Sequence, residues 1–104
     1  MRPILFLLLA MLTAPLAAHA KTWSVACATN GCVAIDEAGN MAFIDLAKQT
    51  VVGVDKLSDN PSPPFVISCG SGDACVIVDG AGKLWFGPAK PGTAFKPAPN
   101  AKMP

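Results

Sequence analysis

The chain has 104 residues, 52% of them hydrophobic, and eight basic residues stand against seven acidic ones for a formal net charge of +1 at pH 7. That near-neutral balance excludes the basic field that nucleic-acid phosphates or an anionic membrane surface would require. The length allows one small domain with a modest core.

Residues 1–20 are expected to form a signal peptide. Arg2 gives a short positive start, Ile4 to Leu12 form an apolar run, and Ala18-His19-Ala20 puts small residues where a signal peptidase reads. The run is shorter than the roughly 20 residues that span a bilayer core, so no membrane insertion is expected after cleavage. Cleavage after Ala20 leaves 84 residues with seven lysines, seven acids and no arginine. A secreted or periplasmic location follows.

From Lys21 onward the pattern is that of short strands. "TWSVACA" alternates, with Trp23, Val25 and Cys27 on one face, and "CVAID" is rich in β-branched residues. The turn "DEAGN" follows, then "MAFID" and "TVVGVD". In the turn, Asp36 can hydrogen-bond the backbone two residues on, and Gly39 can take φ > 0. "LSDNPSPP" (57–64) reads as a linker. The series then repeats: "FVISC", "CVIVD", the turn "DGAGK" with Asp79 and Gly82, "LWFGP" and, least regular, "GTAFKP". Residues 98–104 are expected to be disordered, being proline-rich without an apolar face. The domain is thus read as 21–97, built from repeats 22–56 and 64–97.

Cys27, Cys32, Cys69 and Cys75 form two local pairs with C-x4-C and C-x5-C spacing. An even count in an exported chain points to disulfides, with three connectivities open. The local pairing Cys27–Cys32 and Cys69–Cys75 is favoured, because each pair flanks a turn-like segment and can face across a hairpin ladder. Structural zinc prefers C-x2-C, and redox centres prefer C-x-x-C at a helix start. Neither pattern is present.

Aligning the cysteines also aligns Val33 with Val76, Asp36 with Asp79, Gly39 with Gly82 and Phe43 with Phe86, a period of 42 to 43 residues. Four antiparallel strands at that period match a β-propeller blade. The shared pattern apolar–Cys–x(4,5)–Cys–Val–x–[Ile/Val]–Asp–x–Ala–Gly resembles the cysteine-bearing blade repeats of secreted bacterial β-propeller-like proteins. The resemblance covers residues 23–45 and 65–87, and it implies an all-β fold of two tandem antiparallel β-meander repeats stapled by disulfides. For function it implies little, since propellers host many activities. Two blades do not close a ring, so the sheets must pack on each other, self-associate as a homo-oligomer, or receive a partner's edge.

His19, the only histidine, leaves with the signal peptide, which removes Ser-His-Asp and Cys-His catalysis from consideration. Asp36 and Asp79 are read as turn residues rather than paired catalytic carboxylates. The turns are too poor in oxygen ligands for a calcium loop. No cofactor or metal is expected. Trp85 stands where the first repeat has Ala42, and strand alternation sets it opposite to Phe43 and Phe86. It is read as an outer-face residue and a candidate binding contact. The expectation is a non-catalytic protein that binds another envelope or extracellular protein through its repeat surfaces. The alternatives are an oligomeric propeller-type lectin and an inhibitor of a secreted hydrolase that presents "ATNG" or "GSGDA".

Overall fold

The structure, a computed structural model, describes residues 21–104; the expected signal peptide lies outside the described residues. Among the described residues, eight strands form two four-stranded antiparallel sheets. Sheet 1 contains β1 (Trp23–Cys27), β2 (Gly31–Asp36), β3 (Asn40–Asp45) and β4 (Thr50–Lys56) in that spatial order. Sheet 2 contains β5 (Val66–Cys69), β6 (Ala74–Val78), β7 (Lys83–Pro88) and β8 (Lys96–Lys102), again in chain order. The two sheets are both simple up-and-down meanders, as short turns between antiparallel strands dictate.

Cys27 lies directly opposite Cys32 in the β1–β2 ladder, and Cys69 opposite Cys75 in β5–β6. Both pairs are bonded, with Cα atoms 3.9 Å and 4.0 Å apart. Each disulfide therefore locks the register of one hairpin. Each closes only a short loop, which limits its entropic contribution to roughly 2 kcal/mol.

The ladder assigns every side chain to a face. In sheet 1, Val33 pairs with Phe43 and Ile35 with Met41, and these four form what is here called the front face. Ala34 pairs with Ala42 on the back face, beside Val25 and Val54. The repeat places Val76, Phe86, Val78 and Leu84 on the front face of sheet 2, and Ile77 with Trp85 on its back. The buried cluster joins Val33, Ile35, Met41 and Phe43 to Cys75, Ile77, Trp85, Ala89 and Phe95. Sheet 1 therefore packs by its front onto the back of sheet 2. Burying side chains of this size stabilises the fold by about 1.5–3 kcal/mol each. Leu57 and Phe65, at the ends of the linker, also join this core, so the linker is anchored at both ends.

The C-terminal reading is corrected. The segment expected to be disordered carries most of β8, and only the last two residues lie outside the strand. β8 pairs with β7 at Lys83↔Lys102, Trp85↔Pro97 and Phe86↔Lys96, with a register irregularity between. Pro97 and Pro99 hid it, because proline donates no ladder hydrogen bond and is confined to edge strands. "GTAFKP" is mostly not strand: Phe95 leaves the ladder and enters the core instead.

Phe95 sits over Gly87, where a Cβ would lie 2.6 Å from its Cγ. Gly87→Val is expected to destabilise the fold by about 1–3 kcal/mol through overpacking. Gly70→Ala, with nothing within 4 Å and no positive φ, is expected to be nearly neutral. Urea denaturation of the two variants checks this, and equal losses would contradict the packing described.

Candidate functional site

Asp36 and Asp79 end the second strand of each sheet or follow it directly, and each organises the next turn. The Asp36 carboxylate accepts hydrogen bonds from Ala38 N–H and Asn40 N–H at 2.9 Å on Oδ1, and from Asn40 Nδ2 at 3.1 Å on Oδ2. Asp79 Oδ1 accepts from Ala81 N–H at 3.0 Å and Lys83 N–H at 2.9 Å. Gly39 and Gly82 complete the turns at φ 84° and 82°, a conformation that glycine adopts without steric cost. The two carboxylates are thus engaged by their own turns.

Trp85 is not on the outside. It is buried in the core, and its indole Nε1–H donates to Asp79 Oδ2 at 3.1 Å. The expected alternation holds, with Trp85 and Phe86 on opposite faces, but sheet 2 buries the face carrying Trp85 and exposes the other. A contact role for Trp85 is therefore corrected to a packing role. The hydrogen bond supplies the polar partner that a buried indole needs.

Burial pushes both carboxyls up, but the hydrogen bonds outweigh it. Asn40 and Ala38, with the Lys21 charge, hold Asp36 below the ordinary carboxylate range; Trp85, Lys83 and Ala81 do the same for Asp79.

Three surfaces remain as candidates. The first is the front face of sheet 2, where Phe86 is 51% and Val66 67% exposed, flanked by half-buried Val76, Val78 and Leu84. The second is a groove of about 650 Å³ on the back of sheet 1, lined by Trp23, Ala42, Val54, Asp36, Asn40 and Lys56 among others. Trp23 is 44% exposed there, and Lys21 Nζ stands 6.0 Å from its ring. Alternation along β1 assigns Trp23 a face but does not show which face is covered, so its exposure is not legible from the sequence.

The third surface is the pair of cysteine-flanked turns. They meet: Thr29 N–H donates to the Gly72 carbonyl at 2.9 Å, and Gly72 N–H to Thr29 Oγ1 at 2.8 Å. "ATNG" and "GSGDA" therefore present one joined surface, not two independent loops.

Comparison with protein-family models, with curated proteins and with solved structures gives no match. The two disulfides fit an oxidising compartment. Among the described residues, no helix is long and apolar enough to cross a membrane.

The depressed carboxyls make stability depend on pH with a definite sign. A carboxyl whose folded pKa lies below its unfolded value of about 3.9 stabilises fully above that value, and the contribution disappears as pH falls through the folded pKa. The unfolding temperature is expected to fall between about pH 5 and about pH 2, and Asp79→Asn should flatten that fall. Thermal unfolding followed across this range checks it; an unchanged slope in the variant would contradict the role given to Asp79.

Proposed function

We propose that the protein is a non-catalytic binding protein of an oxidising, exported compartment that contacts another protein through its sheet faces. The observation that carries this reading is the front face of sheet 2. It presents Phe86 and Val66 to solvent beside Val76, Val78 and Leu84, in a chain whose formal net charge is only +1. Contiguous exposed apolar surface rimmed by polar residues marks interaction sites, and a central aromatic is the usual anchor of such a site. The equivalent residues of sheet 1, Val33, Ile35, Met41 and Phe43, are all buried, as side chains of this type are wherever a covering surface is offered.

A second reading is carbohydrate binding in the groove beside Trp23. One observation favours it: a half-exposed indole with Asp36, Asn40 and Lys56 along the same groove. Sugar recognition uses an aromatic face together with polar groups that fix the hydroxyls. Propeller-type architecture and the hydrolase-inhibitor alternative rest on the repeat and on the joined turns respectively, with no ligand-directed feature beside them.

A photoreactive phenylalanine analogue at position 86 is expected to cross-link the protein to another polypeptide in living cells. The same analogue at position 43, inside the core, should give no such product. Absence of any product from position 86 would overturn the protein-binding reading, and binding on a glycan array lost in Trp23→Ala would favour the second.

A further inference from the structure

Among the candidate surfaces, the two open sheet faces say most about what covers them. The core is built from non-equivalent faces: the front of sheet 1, with Phe43 buried at 1% exposure, lies on the back of sheet 2, with Ile77 and Trp85. Stacking repeats in this front-to-back manner leaves two faces unused. One is the front of sheet 2, and its central aromatic, Phe86, is the repeat equivalent of Phe43. The other is the back of sheet 1, which is the repeat equivalent of the surface that Phe43 packs against. The molecule thus exposes both halves of an interface it already makes once internally.

We infer that these two faces bind each other between copies of the chain, the front of sheet 2 of one copy lying on the back of sheet 1 of the next. This rests on the protein-binding reading above and names its partner as a second copy. The shapes are matched in kind. At the internal interface the back face carries the large pair Ile77 and Trp85; at the open one the paired residues are Ala34 and Ala42. Ala42 lines the floor of the groove bordered by Trp23 and Val54, the latter 78% exposed. Phe86, 51% exposed, is the projecting apolar group that fills it. The linker cannot carry this contact within one chain, because Leu57 and Phe65 hold it to the internal interface.

Such an interface is heterologous, because the two surfaces differ, so pairing continues until a ring closes or runs on as an open fibre. Two copies, with four sheets between them, are the smallest ring. An isologous dimer, in which one face meets its own copy, would behave differently.

The test blocks one face at a time in the protein recovered after export. Phe86→Lys blocks the front of sheet 2, and Val54→Lys blocks the back of sheet 1. Both positions are exposed, and retention of the folded circular dichroism spectrum confirms that each variant remains intact. In light scattering across a concentration series, the wild type is expected to assemble beyond the monomer mass. Each variant alone should stay monomeric, and a mixture of the two should form a heterodimer and grow no further, because each partner supplies the face the other lacks.

A wild type that stays monomeric at every concentration would overturn the inference, as would an assembly unaffected by either substitution or variants that fail to pair when mixed. The cross-link from position 86 separates the two levels of the account. A product of this chain with itself supports both. A product with a different protein overturns self-assembly and leaves the binding reading standing, and no product overturns both.

Discussion

The structure depends on one packing constraint: two sheets of nearly the same sequence bury opposite faces. Val33, Ile35, Met41 and Phe43 give sheet 1 a strong front, which must be covered. The front of sheet 2 is just as apolar, with Val76, Val78, Leu84 and Phe86 at the same positions. A symmetric sandwich of front on front would bury both at once. What opposes it is the back of sheet 2, where Ile77 and Trp85 replace Ala34 and Ala42 as a cross-strand pair. A back face built from these two large residues, with Phe95 laid over Gly87 and Ala89 beside it, fills the space between the sheets.

The polar details serve that arrangement. A buried indole needs a hydrogen-bond acceptor, and Asp79 provides one with the oxygen that its turn leaves free. In sheet 1 the corresponding oxygen is taken by Asn40 Nδ2, with Lys21 Nζ at 3.8 Å. One turn design therefore serves a core residue in one repeat and a solvent-facing groove in the other. The disulfides divide in the same way. Cys69–Cys75 packs against the core, whereas Cys27 is exposed on the open back of sheet 1.

Much of the fold was legible in the sequence because strand alternation, turn chemistry and cysteine pairing are local. The first seven strands, the hairpin disulfides and the roles of Asp36, Gly39, Asp79 and Gly82 all follow from residues close together in the chain. The choice of buried face does not. Alternation fixes that Trp85 and Phe86 point oppositely, yet either side can be the core when both are apolar. The exchange of Ala34 and Ala42 for Ile77 and Trp85 was the available signal, because two adjacent small residues becoming two large ones marks where volume is needed. β8 was hidden for another reason: its prolines and lysines suit an edge strand, where propensity and periodicity carry little information. The candidate surfaces followed the face assignment, so Trp85 was misread and Trp23 and Phe86 were passed over.

The packing of the front of sheet 1 on the back of sheet 2 governs the rest of the structure. A double-mutant cycle measures it directly, with unfolding free energies taken at a chain concentration low enough to keep every variant monomeric. Phe43→Leu and Ile77→Val are expected to be non-additive by about 0.5–3 kcal/mol, as residues sharing one core are. Phe43→Leu and Phe86→Leu are expected to add within about 0.5 kcal/mol. Coupling of Phe43 to Phe86, with none to Ile77, would mean instead that the sheets pack front to front.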